Sequence, residues 1–141
     1  MKVLFDTNVV LDDLLQREPF WQSAAKLMTH VESETLLGYV YATTLPTAHY
    51  IAAKIVGSRK AREEISRLLQ LFDVVPVNRM VLETALALEN RDFEDSVLVA
   101  SAHHAGLDGL VTRNPKDFRH SPLPIHTPEG LLKILSDTDP S

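Results

Sequence analysis

The chain has 141 residues, enough for one domain to bury a real core, and its 45% hydrophobic and 23% charged residues are an ordinary globular balance. It holds no apolar run of the roughly 20 residues a membrane span needs. It has no cysteine for disulfides or thiolate metal sites, and its opening MKVLFDTN lacks the long apolar stretch of a secretory signal, so a cytoplasmic protein is expected. A net charge of −5 argues against broad charge attraction to duplex nucleic acid, so any such contact must be local or bridged by metal ions that offset an acidic pocket.

Val3-Leu4-Phe5 is a short apolar run ending at Asp6 and reads as a buried strand. Asn8 suits the cap of a helix over Val9 to Leu15, and Pro19 the first turn of a second helix through Trp21, Ala25 and Leu27-Met28. Leu36 to Tyr41 reads as a second strand. Thr43 or Thr44 then caps a helix with Pro46 in its first turn that continues to Gly57. Ser58 caps another helix, in which Ile65, Leu68, Leu69 and Phe72 recur at helical spacing. Val74 to Val77 reads as a third strand, Leu82 to Leu88 as a helix, and Glu94 to Ala105 as a helix stopped by Gly106. Leu110-Val111 is a fourth strand, Pro124-Ile125-His126 a fifth, and Thr127-Pro128-Glu129 opens a last short helix.

Strands alternating with helices predict a parallel sheet covered on both faces. With no repeat, low-complexity segment or linker, the expectation is one domain over residues 1–136 and a frayed tail over 137–141. In such sheets the site lies beyond the carboxyl ends of the strands. Asp6 follows the first strand, and Asp117 follows the fourth within TRNPKDF. Asp95 stands in the first turn of the 94–105 helix, with Asp92 three residues earlier. Each has a plain structural reading: Asp92 as a helix cap, Asp95 as a first-turn acid favoured by the helix dipole, Asp6 and Asp117 as turn residues. Taken together they are aimed at one edge of the sheet. Gathered carboxylates stay ionised only when a cation neutralises them, and oxygen ligands suit Mg²⁺ or Mn²⁺. Such ions lower the pKa of bound water and stabilise charge on an attacked phosphate, so the cluster points to phosphodiester chemistry.

Three segments, VLFDTNVVLD (3–12), DFEDSVLVASAHHAG (92–106) and TRNPKDF (112–118), resemble in order and spacing the motifs of PIN-domain proteins, over essentially the whole chain. Among small stand-alone members the chain is similar to VapC-type toxins, Mg²⁺- or Mn²⁺-dependent ribonucleases paired with an antitoxin protein. That resemblance implies a three-layer α/β/α sandwich with a central parallel sheet, RNA as substrate and a homodimer. Carried over residue by residue, it makes Asp6, Asp95 and Asp117 the catalytic, metal-binding acids, and Asn8, Thr112 and Asn114 their polar supports. One position departs from the pattern. Many members carry a glutamate where this chain has Thr47, which cannot serve as an anionic ligand; Asp92 is the candidate to supply that charge.

Arg113 and Lys116 flank the site and are the phosphate candidates. The basic stretch Lys54, Arg59, Lys60, Arg62 and Arg67 reads as a solvated helix face balanced by Glu63 and Glu64. His103 and His104 read as surface or packing residues, His49 and Tyr50 as packing of the third helix, and Asp12 and Asp13 as exposed helix acids. For Phe20 and Trp21 the choice between core and partner surface is open. The leading function is a metal-dependent endoribonuclease, the toxin of a toxin–antitoxin pair. The alternative is a catalytically weak PIN-like module that binds RNA or protein, favoured by Thr47. An aspartyl-phosphate phosphatase ranks low, because Asn8 stands two residues after Asp6 where a second aspartate is expected.

Overall fold

A computed structural model describes residues 1–88 and 92–138. Five strands, β1 (Lys2–Phe5), β2 (Leu37–Tyr41), β3 (Asp73–Val75), β4 (Gly109–Val111) and β5 (Ile125–His126), form one sheet in the order β3-β2-β1-β4-β5. Every pairing is parallel. The helices are α1 (Thr7–Leu14), α2 (Trp21–Glu32), α3 (Thr44–Val56), α4 (Ser58–Leu71), α5 (Arg79–Ala87), α6 (Phe93–His104) and α7 (Pro128–Thr138), with a 3-10 helix at Pro115–Phe118.

Strand alternation sorts the core into two layers. Val3 and Phe5 face one side, against Val9 and Val10 of α1, Leu27 and Val31 of α2, Leu68 of α4 and Leu131 of α7. Leu4 faces the other, against Val81 and Ala85 of α5 and Val97 to Ala100 and Ala102 of α6. Helices thus cover both faces of a parallel sheet, as the alternating pattern predicts, and make the three-layer sandwich that the resemblance implies. Leu4 and Phe5 are fully buried; each such side chain stabilises the fold by about 1.5–3 kcal/mol. Residues 96–102 of α6 are all buried, which is why that helix lacks a clear polar stripe. Close packing reaches the backbone at Gly38 of β2, where an added Cβ would come within 2.7 Å of the Phe72 ring.

Several boundaries differ from the sequence expectation. The N-cap of α1 is Asp6, and Asn8 lies inside the first turn: Asp6 already leaves the strand in extended conformation, so the helix begins two residues earlier. Pro19 sits in a turn before α2, whose first residue is Trp21. Gly57, at φ 89°, occupies the cap position before α4, and Ser58 is that helix's first residue. Asn78 caps α5 by accepting from the Val81 N–H, so the helix starts at Arg79 and β3 ends at Val75. Asp12 is buried, 1% exposed, between the guanidinium groups of Arg17 (3.1 Å) and Arg113 (2.8 Å). Asp13 pairs with Arg67 at 3.0 Å. Tyr50 is 63% exposed with Lys54 Nζ 4.2 Å from its ring centre, and so does not pack α3 inward. Helix α7 carries order to Thr138; the expected fray at 139–141 lies outside the described residues.

Candidate functional site

The strand order turns at β1, with β2 and β3 on one side of it and β4 and β5 on the other. A crevice therefore opens beyond the carboxyl ends of β1 and β4. The Asp6 N–H donates to Val111 O at 3.0 Å and the Thr112 N–H to His126 O at 2.9 Å, so the two residues leave the sheet side by side. Leu4, Leu110 and Tyr41 all face the α6 layer. One more step of the alternation along β1 and β4 turns Asp6 and Thr112 to the same side. Thr112, fully buried, donates its hydroxyl to Asp6 Oδ2 at 2.8 Å, and its oxygen accepts from the Asn114 N–H at 3.1 Å. This one threonine orients the first acid and shapes the loop that carries the last.

Helix α6 points its N-terminus at the same crevice. Asp92 is its N-cap, accepting from the Glu94 N–H at 2.8 Å, and Asp95 lies in its first turn. Burial, then the charges of Asp92, Asp6, Asp117 and Glu94, push the Asp95 carboxyl up to about 7. Four acids thus act on one carboxyl, and the described residues that line the adjoining hollow, Asp92, Phe93, Asp95 and Asp117, bring no cationic side chain to it. Asp6 is raised too, chiefly by burial. The Thr112 hydroxyl and the backbone N–H groups of Thr7 and Asn8 pull the other way, and Glu94 adds to the rise.

Two residues that the sequence reading passed over belong to this cluster. Tyr41, buried at the carboxyl end of β2, donates its hydroxyl to Glu94 Oε1 at 3.0 Å. Burial, Glu94, Asp6 and Asp95 all hold that hydroxyl protonated, far above its ordinary range. Tyr41 thus remains a donor and fixes Glu94 beside the two acids. Glu94 lies between Asp92 and Asp95 in sequence, and Tyr41 ends a predicted strand; the signal was that every strand's carboxyl end faces the site.

The other expected residues are placed as follows. Asn8 is half-buried in the first turn of α1, and Asn114 is exposed at the mouth of the loop. Asp117 and Lys116 are exposed on the 3-10 helix. Arg113 is turned away from free phosphate binding: only 21% of its side chain is exposed, it is ion-paired to Asp12, and it lies 4.0 Å from the Phe20 ring centre. Its Nε makes no well-directed hydrogen bond, so charge and stacking hold it. Phe20 is thereby accounted for. Thr47 lies in the first turn of α3, whose start is tied to α1 by the Thr7–Thr44 hydroxyl pair at 2.8 Å.

The donor set fits a hard divalent cation: carboxylate oxygens with surplus negative charge and no competing thiolate. Among the described residues no three acids or histidines are drawn together tightly enough to cage an ion.

The sequence profile of the PIN domain matches residues 2–116. A chain of a toxin–antitoxin complex from Klebsiella pneumoniae is 26% identical, with a TM-score of 0.68 over 89% of this chain and 97% of that one. FitAcB from Neisseria gonorrhoeae gives 20% identity and a TM-score of 0.70 over 90% and 98%. VapC20 from Mycobacterium tuberculosis, a sarcin–ricin-loop-cleaving toxin, gives 16% and 0.61 over 77% and 86%. No curated protein matches the sequence significantly. Among the described residues no helix is long and apolar enough to cross a membrane.

Proposed function

We propose that this chain, which belongs to the PIN-domain family, is a metal-dependent endoribonuclease that hydrolyses RNA phosphodiester bonds as the toxin of a toxin–antitoxin pair. The observation that carries the reading is the Asp95 carboxyl, raised to about 7 by burial and by the charges of Asp92, Asp6, Asp117 and Glu94. Such a cluster is costly unless a cation shares it. Asp6, Asp95 and Asp117 would hold Mg²⁺ or Mn²⁺, and Glu94, fixed by Tyr41, supplies the charge that Thr47 lacks. Asp92 serves the cluster as the cap of α6 and through its charge. When bound, the ion activates water and offsets charge on the attacked phosphoryl group.

The chain's own residues prepare that chemistry. Thr112 holds Asp6 in one orientation. Asp95 gives up a proton near neutral pH to become an anionic ligand. Lys116, exposed beside Asp117, is a cation placed to meet a neighbouring phosphate, whereas Arg113 braces the loop against Asp12. Support for the toxin role comes from the fold neighbours, which include a toxin–antitoxin complex and an RNA-cleaving toxin. On this reading the partners are RNA, an antitoxin protein and a second copy in a homodimer, and the compartment is the cytoplasm.

The deciding experiment is cleavage of a fluorogenic single-stranded RNA by wild type and Asp6→Asn in Mg²⁺, Mn²⁺ or EDTA. Wild type should cut only with the ion, and Asp6→Asn should not cut at all. Cleavage that survives EDTA sinks the mechanism. Metal and RNA binding without cleavage would promote the catalytically weak binding module, the reading that Thr47 favours.

A further inference from the structure

Phe93 is the first residue of α6 and is 50% exposed. It belongs to neither core cluster and has no aromatic ring partner among the described residues. The ring lines the same hollow as Asp92, Asp95 and Asp117. A half-exposed phenyl group at the mouth of an acidic site contributes little to folding, since the benefit of an apolar side chain scales with the area it removes from water. Among the described residues its neighbours in the hollow are all acids, which once ionised repel phosphate and accept hydrogen bonds only. Of the described lining side chains, Phe93 is the one that attracts part of a nucleotide without help from a cation: its neutral face can stack on a base. The hollow, ≈ 490 Å³, falls within the roughly 300–1,000 Å³ typical of small-ligand pockets.

We propose that Phe93 is a substrate-positioning platform, on which an unpaired RNA base next to the scissile phosphate stacks while the acids face the phosphate. This rests on the nuclease reading above and adds the form of the substrate at that point. A base inside a duplex is already stacked on both faces, so the platform takes a base from a loop, a bulge or a single strand. Every base has a π-face, so stacking on Phe93 selects at this nucleotide for lack of pairing rather than for sequence.

The test uses the full chain with Mn²⁺ and two probes, a fluorescein-labelled adenosine dodecamer RNA and a blunt RNA duplex, read by anisotropy, with Mn²⁺ affinity measured separately by calorimetry. Phe93→Leu keeps bulk and apolarity but removes the ring; Phe93→Tyr and Phe93→Trp keep a ring. The expected result is a single-strand Kd raised roughly 5- to 150-fold in Phe93→Leu, the range for losing one base–aromatic stack. The two ring-bearing variants should remain near wild type. Duplex affinity and Mn²⁺ affinity should be unchanged in all. Single-strand binding by Phe93→Leu equal to wild type overturns the proposal and leaves the ring to a protein contact. A loss shared equally by the duplex, or by Mn²⁺ binding, overturns it as a local packing defect. Failure of the nuclease reading looks different: if wild type binds the single strand and Phe93→Leu does not, but nothing is ever cut, the platform stands and catalysis falls.

Discussion

The hydroxyl of Thr112 donates to Asp6 Oδ2 at 2.8 Å, joining the ends of two adjacent parallel strands that are 106 residues apart in sequence. The bond favours the ionised carboxylate against a burial that disfavours it. Thr112→Val keeps the shape and removes the donor. The Asp6 carboxyl should then protonate more readily, and half-maximal Mn²⁺ binding should move to higher pH. The variant should also lose about 1–3 kcal/mol of stability, because the Asn114 N–H and Asp6 both lose a partner. Calorimetric Mn²⁺ titrations from pH 5 to 8, beside urea melts, measure both. An unchanged pH profile would show that Asp6 does not depend on this bond.

Without metal, the acids should make the protein less stable as pH rises. An unfolded aspartate has its ordinary pKa of 3.8, while Asp95 in the fold stands at about 7. A group whose folded pKa is raised stabilises the fold fully below its unfolded pKa, and that contribution disappears as pH climbs through the folded value. Asp6, raised as well, acts in the same direction. In EDTA the melting temperature should therefore fall between about pH 4 and pH 7. Asp95→Asn should flatten that fall, and saturating Mn²⁺ should offset it in wild type alone. A melting temperature that rises steadily over the same interval in EDTA would contradict the clustering of these carboxylates.

Glu94 and Asp92 should separate cleanly. Asp92 spends one oxygen on the Glu94 N–H at 2.8 Å, so Asp92→Ala should cost about 1 kcal/mol, the worth of a helix cap. Glu94→Gln should leave the melting temperature near wild type yet weaken Mn²⁺ binding several-fold. Tyr41→Phe, which frees Glu94 from its 3.0 Å anchor, should weaken Mn²⁺ binding by a smaller factor. If Asp92→Ala abolishes Mn²⁺ binding and Glu94→Gln does not, the two roles are reversed.

Asp12 should be the acid whose loss harms folding most. It is 1% exposed, and its removal leaves the guanidinium groups of Arg17 and Arg113 without their carboxylate. Breaking a buried pair from one side typically costs roughly 3–5 kcal/mol. Arg17, 36% exposed, can turn to water, which places Asp12→Ala near about 3 kcal/mol. Chemical denaturation gives the number, and a loss below about 1 kcal/mol would mean that solvent screens the network as it does an exposed pair.

Much of the fold was legible along the chain. The apolar runs Val3–Phe5 and Leu110–Val111, and helical spacings between them, are local patterns, and alternation of strand and helix restricts the sheet to parallel pairing. The placement of Asp6 directly after β1, and of Thr112 directly after β4, was equally local, since a residue that follows a strand lies at its carboxyl end whatever the strand order. Thr112 and Asp6 could therefore be set at the same edge from sequence, but their bond needed β4 to lie beside β1, and Glu94 could not be placed at all. Neighbours on a helix point about 100° apart, and only the docking of α6 beneath Tyr41 decided that Glu94, as well as Asp95, reaches the crevice.

Asp12 and Arg113 make the same point in reverse. On the sequence, Asp12 is an acid on a short helix and Arg113 a cation flanking a site, and each is solvated by default. Burial is a property of what packs over a residue, and here Arg17 from the turn before α2 and Arg113 from the loop after β4 meet at Asp12, with Arg113 also stacked on Phe20. Chain-local pattern determined which elements form and which end of the sheet holds the acids. Tertiary packing alone decided which charges meet, because carboxylate and guanidinium groups far apart in sequence become neighbours only when their helices and loops are pressed onto the same face of the sheet.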